Sequence, residues 1–165
     1  MPRKRLIWQI YPPFLVIILI ALVTLTWFFS RTLDDFYREE KRSGLVAQGQ
    51  LVVNQARDAL MSGNISALES MSVALGKQSG TRLTIILPDG RVVGDSEEAP
   101  AKMDNHARRP EIREALRGHP GAATRYSKTL QQEMMYVALP VEMQGRQVGI
   151  VRTAVPLADI NRTFQ

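Results

Sequence analysis

The 165-residue sequence has no cysteine, which excludes disulfides, thiolate nucleophiles and cysteine-ligated metal centres. Histidine is nearly as scarce. His106 and His119 are the only two, far apart and with no Asp–Ser pairing nearby, so nothing supports a hydrolytic triad or a periplasmic enzyme. There is no internal repeat and no low-complexity tract. Charge of one sign is also in short supply once the N-terminus is set aside. The formal net charge of +5 falls by three units without Arg3, Lys4 and Arg5, leaving 18 Lys and Arg against 16 Asp and Glu. The basic isoelectric point is therefore largely a topology signal, and no nucleic-acid partner is expected.

The most conspicuous local absence is of charge between Tyr11 and Phe29, "YPPFLVIILIALVTLTWFF". This run approaches the ~20 apolar residues that cross ~30 Å of hydrocarbon. It ends in "TWFFSRTL" with no small-x-small site, which favours a retained span over a cleaved signal peptide. Arg3, Lys4 and Arg5 place residues 1–10 on the cytoplasmic side. Trp8, Tyr11 and Trp27 suit the two interfaces, and residues 31–165 are expected outside the cytoplasm, anchored in the inner membrane.

Residues 30–80 read as two helices. From Arg31 to Met61 no proline intervenes, and Leu45, Gly49, Val52, Ala56 and Leu60 form one apolar stripe at helical spacing. Gly44 and Gly49 would permit close packing in a parallel dimer. "SGN" at Ser62–Asn64 breaks the helix, Ser66 is the expected cap of a second helix, and Gly80 its stop. Residues 81–157 then switch to strand patterning. "RLTIIL" and "RVVGDS" flank a "PDG" turn, and "TRYSKTL", "MMYVALPVEM" and "QVGIVRTAVPL" follow, joined by turns at Gln131–Gln132 and Gln144–Gly145. Between the second and third strands lies a long polar crossing ending in a short helix that Pro110 starts and Gly118 stops. The fold class is α+β: a transmembrane helix, a long helix, then a PAS/CACHE-like five-stranded antiparallel sheet with an inserted loop and short helix. The long helix should cover one sheet face. The insertion should cover the other, where a cavity is expected. Residues 158–165, "ADINRTFQ", read as the start of an exit helix toward a second span.

Candidate binding residues concentrate around the crossing. Arg108, Arg109 and Arg113 gather at the start of the short helix, whose amides and dipole favour anions. Arg125 and Lys128 lie on the next strand, and Tyr126 and Tyr136 could supply hydroxyls. Arginine grips carboxylate or phosphate through its planar fork, so a small anionic ligand between helix and sheet is a reasonable partner. The opposing expectation is that Glu111 and Glu114 neutralise these arginines at the surface. His106 could report acidity or bind an anion, but is better explained as a backbone-bonded pin for the crossing. Asp95, Glu97, Glu98 and Asp104 match no defined calcium loop and read as solvated. No metal or other cofactor is expected.

"LPDGRVVGDSEEAPAKMDNHARRPEIREALRG", "RYSKTL", "MMYVALPV" and "GIVRTAVPL" together resemble the extracytoplasmic sensor region of bacterial two-component sensor histidine kinases, most of all the PhoR-type phosphate-regulon sensors. The resemblance covers roughly residues 81–160. It implies a homodimeric membrane receptor with two spans, a C-terminal kinase region and a response regulator. Within these 165 residues there is no phosphoacceptor histidine in an H-E-x-x-P setting and no nucleotide-binding glycine box, so this chain carries no catalytic apparatus. Alternative outputs are a chemoreceptor or a diguanylate cyclase, and a different class altogether is a membrane-anchored periplasmic interaction protein.

Overall fold

The computed structural model describes residues 3–127 and 130–157. A first helix, α1 (Arg3–Ser62), passes through both of two compact units, Met1–Lys41 and Arg42–Gln165. In the first unit every described side chain from Tyr11 to Phe29 is exposed. Among the described residues this is one helix long and apolar enough to cross a membrane. It starts earlier than the apolar run, and Pro12 and Pro13 lie inside it without a backbone N–H to donate. The Arg31 guanidinium stacks over Trp27, 5.3 Å from the ring centroid.

In the second unit α1 buries the stripe its spacing predicts. Leu45, Val52, Ala56 and Leu60 pack with Leu83, Ile85, Val137, Leu139 and Val151. Gly49 belongs to the same face for a steric reason. A Cβ there would come 2.8 Å from Leu139 Cδ1 and 3.6 Å from Thr153 Cγ2. Its small size lets α1 settle on its own sheet, which corrects the expectation that it serves a helix–helix contact; a Cβ at Gly44 would meet nothing within 4 Å. The Thr153 hydroxyl donates to the Leu45 carbonyl at 3.1 Å, tying helix to sheet.

Helix α2 (Ile65–Ser79) is capped by Asn64, whose Oδ1 accepts from the Ala67 amide at 3.1 Å. The expected cap, Ser66, lies one residue inside the helix. Gly80 closes α2 in the left-handed conformation, as expected. Strands β1 (Arg82–Ile86) and β2 (Val92–Asp95) follow, then a 3-10 turn (Pro100–Lys102), α3 (Pro110–Leu116), β3 (Gly121–Ser127), β4 (Gln132–Met143) and β5 (Arg146–Pro156). Every pairing is antiparallel, and the sheet order is β2-β1-β5-β4-β3. The crossing from β2 to β3 thus runs from one sheet edge to the other and carries α3 over the face opposite α1. There α3 buries Glu111, Ile112 and Ala115, the apolar pair packing with Ile86, Ala138 and Ile150. Pro110 stands at the first helical position as predicted, and Gly118 takes a positive φ just beyond the end. Lys128 and the expected exit helix at 158–165 lie outside the described residues.

Candidate ligand-binding site

Strand register decides what lies under α3. Asp95 pairs with Thr84, Thr84 with Arg152, Arg152 with Ala138 and Ala138 with Gly121. One row across all five strands therefore places an acid, a hydroxyl and a guanidinium side by side on one face, followed by two small residues. The next row on that face holds Arg82, Ala154, Tyr136 and Ala123. Arg125 follows Ala123 at the strand period of two.

The small residues make room for α3. A Cβ at Gly121 would collide with the Glu111 carbonyl, so the helix sits directly on β3. Glu111 then reaches the sheet with its side chain fully buried. Its Oε1 accepts from Arg125 Nη2 at 3.1 Å and lies 3.7 Å from Arg152 Nη1. The Arg125 and Arg152 guanidiniums both lie over the Tyr136 ring, at 3.9 and 5.1 Å from its centroid. At the other end of the row Asp95 is saturated. It pairs with Arg82 at 3.0 Å and accepts from the Thr84 hydroxyl at 2.6 Å and from the Glu97 and Glu98 amides at 2.9 and 3.1 Å. Thr84 in turn accepts from Arg152 Nη2 at 2.8 Å. Of the acids expected to be solvated, Asp95 is buried, whereas Glu97 and Asp104 are exposed and Glu98 is half-buried. Among the described residues no set of three or more His, Asp or Glu is gathered as a metal site.

Arg152 is the centre of this network and is 1% exposed. Burial, then the nearby Arg109, push it down to about 9, so it remains charged at neutral pH. Arg109 is half-buried at the N-terminus of α3, its own ionisation also lowered by burial and by Arg125. His106 is fully buried. Its backbone N–H donates to the Gly90 carbonyl at 2.8 Å. Nδ1 lies 2.6 Å from the Asp104 carbonyl, an acceptor, so Nδ1 carries the proton and Nε2 is left as a lone pair. Burial and the surrounding Arg152, Arg109 and Arg125 push its pKa down to about 3. The ring is a neutral pin, as the better explanation of His106 had it.

Of the seven candidate residues, His106, Arg109, Arg125 and Tyr136 come together. Arg108 and Arg113 do not, because both side chains are exposed. Tyr126 has the opposite strand parity to Arg125, is 54% exposed, and donates to Gln131 Oε1 at 3.1 Å. Tyr136 contributes its ring face more than its hydroxyl. The expected surface neutralisation by Glu111 and Glu114 also divides: Glu114 pairs with Arg117 at the surface, whereas Glu111 is internal. Sequence reasoning misses Arg82, Thr84, Glu111 and Arg152 as site residues, and it weighs Asp95 only against a calcium loop. One signal was present, since an arginine inside the otherwise apolar "GIVRTAV" run needs a buried partner. A cavity of about 270 Å³ lies on the α1 side of the sheet, opposite the face where the sequence places one. It is lined by Gln48, Leu51, Val52, Leu75, Leu83 and others, with no charged side chain.

No family model matches the sequence, and no curated protein matches it. Solved structures do share the fold. The ligand-binding domain of the Campylobacter jejuni chemoreceptor Tlp3, in complex with 4-methylisoleucine, is similar over 79% of this chain and 55% of its own, with a TM-score of 0.61 and 18% identity. The E. coli DcuS sensor domain is similar over 74% of this chain and 96% of its own (TM-score 0.58, 14% identity). For the sensor domain of the V. cholerae histidine kinase DctB the shares are 76% and 56% (TM-score 0.59, 17% identity). The chain thus spans about half the length of the Tlp3 and DctB domains and nearly all of the DcuS domain. Identities this low establish a shared architecture alone, an α+β, CACHE-like fold.

Proposed function

We propose that this chain is the extracytoplasmic, signal-sensing input region of a membrane-bound two-component sensor histidine kinase, and that the cluster under α3 binds a small anion. The observation that carries the reading is the excess of cation in that buried cluster. Among the described residues, buried Arg82 and Arg152 and part-exposed Arg109 and Arg125 face two acids, Asp95 and Glu111, and uncompensated charge in a desolvated site calls for a counter-ion. The shared fold with sensor domains supports the role, and the apolar N-terminal helix supports anchorage in the inner membrane with residues 31–165 outside. A ligand that favours one arrangement of α3 on the sheet biases β5 and, through the shared core, α1, which leads to the membrane. A homodimer, a C-terminal kinase and its response regulator complete this reading. A PhoR-type input responding to phosphate is its finer form, supported by the motif resemblance over residues 81–160.

A chimaera joining this chain to the second span and kinase core of a membrane histidine kinase tests it. Autophosphorylation in membrane vesicles should change with added phosphate or small carboxylates, and Arg125→Ala should abolish the response. An active chimaera indifferent to every anion would sink the sensing role. A chemoreceptor output is the second reading, favoured by the fold shared with Tlp3. A phosphoacceptor-histidine helix encoded after Gln165 would decide against it.

A further inference from the structure

The cluster under α3 holds more than excess charge. Among the described residues, Arg125 Nε, Arg152 Nε and Arg152 Nη1 are buried donors with no hydrogen-bond partner, and Glu111 Oε2 and His106 Nε2 are buried side-chain atoms in the same condition. With Nδ1 of His106 committed to the Asp104 carbonyl, both of these last two are acceptors. Buried polar groups are nearly always satisfied, and one left unmet is destabilising. Five such atoms on four side chains, gathered around one carboxylate and one tyrosine ring, describe the complement of an occupant. Three donors require acceptor atoms, and the guanidinium forks favour planar or tetrahedral oxyanions. Four arginines against two carboxylates leave two positive charges. The two acceptors add a different demand, because an oxyanion without hydrogen would set its own lone pairs against Glu111 Oε2.

We infer that this site selects a small dianion that itself carries a hydrogen-bond donor, and that Glu111 is the specificity-determining residue that reads the donor. Monohydrogen phosphate meets the description, with one O–H and three acceptor oxygens, and so does a hydroxydicarboxylate. Sulfate and an unsubstituted dicarboxylate match the charge but carry no donor. The inference rests on the anion-site reading above. Glu111 is suited to the role because its Oε1 is already committed to Arg125 at 3.1 Å while Oε2 is not. Its position is also held from both sides, by α3 and by the close contact of its carbonyl with Gly121. A buried acceptor held in place discriminates strongly against a ligand that cannot donate to it.

The test is calorimetric titration of the full chain in detergent micelles at pH 8, where phosphate is mainly the monohydrogen dianion. Two pairs are compared, phosphate against sulfate and malate against succinate. The donor-bearing member of at least one pair should bind at least about tenfold more tightly. The pair showing the preference identifies phosphate or a hydroxy acid as the source of the dianion. Glu111→Gln replaces a pure acceptor by an amide that also donates. Sulfate and succinate should then gain affinity and the preference should fall to about threefold or less. Equal affinities within both pairs in the wild-type chain overturn donor selection while leaving an anion site. Absence of binding by all four overturns the anion site itself. A preference that survives in a folded Glu111→Gln chain removes Glu111 from the role. Should that variant not fold, the wild-type comparisons still decide the donor requirement, and Arg109→Gln serves as the charge control. It should lower the affinity for all four anions and leave the preference unchanged.

Discussion

Arg152 and Thr84 are direct cross-strand partners on β5 and β1, and the guanidinium donates to the threonine hydroxyl at 2.8 Å. The hydroxyl passes the interaction on, donating to Asp95 at 2.6 Å. A charged side chain in the centre of a five-stranded sheet is thereby linked to the sheet edge at Asp95 and, through Glu111, to the helix that crosses above it.

Asp95 should be the most structurally sensitive member of this chain of contacts. Asp95→Asn keeps the shape but removes the charge that neutralises Arg82 and lies 3.9 Å from Arg152. Breaking a buried pair by removing one partner costs ~3–5 kcal/mol. A fall of about 3 kcal/mol in stability from urea unfolding is expected. A change below about 0.5 kcal/mol would mean that the pair is not holding β1 to β2.

Gly121→Ala probes the seat of α3. The added methyl meets the Glu111 carbonyl, a backbone atom that cannot rotate away, and overpacking of this kind costs ~1–3 kcal/mol. Stability should drop by that amount, and anion affinity should drop with it because Glu111 and Arg109 both ride on α3. Loss of stability with full affinity would show that the helix does not position the site.

Acid should destabilise the second unit through His106. Its folded pKa of about 3 lies below the ordinary 6.5, so between those values the unfolded chain holds a proton that the folded chain excludes. Stability is therefore complete above pH 6.5 and is lost as pH falls toward 3. Each unit of displacement is worth ~1.4 kcal/mol at most, giving a loss of ~1–2 kcal/mol between pH 7 and pH 5. The measurement is the urea midpoint against pH, and His106→Asn should flatten that part of the curve.

The apolar part of α1 makes a topological prediction. Leu19→Arg combined with Val23→Arg adds ~2.5–3.5 kcal/mol per charge to insertion near the centre of a span. The double variant should no longer resist carbonate extraction from membranes. In intact spheroplasts, added protease should cut the parent chain beyond Arg31, and full protection would reverse the proposed orientation.

Much of this architecture was legible because it is written in local terms. The uncharged run of residues 11–29, the stripe from Leu45 to Leu60, the turns at Gly90, Gln131 and Gln144–Gly145, and the proline-started α3 each depend on residues a few positions apart. The division into a β1–β2 hairpin and a β3–β4–β5 meander followed from one long crossing among short turns. Half of the candidate site was legible too, because Arg109, Arg125, His106 and Tyr136 lie near the crossing in the sequence or on strands beside it.

The other half belongs to tertiary structure. Strand parity separates Arg125, which faces α3, from its neighbour Tyr126, which faces away, and local sequence leaves both faces open until a register is chosen. Helix phase does the same on α3, burying Glu111 while exposing Arg113. Gly49 reads equally well as a partner contact or a packing contact until Leu139 is placed against it. Above all, Arg82, Asp95, Glu111 and Arg152 come from four separate elements. Only the β2-β1-β5-β4-β3 pairing sets their side chains in adjoining rows and brings α3 down upon them. Sequence alone determined the elements, because their signals are periodic and local. The buried charge cluster was decided by register and docking, which set non-local distances that no run of neighbouring residues encodes.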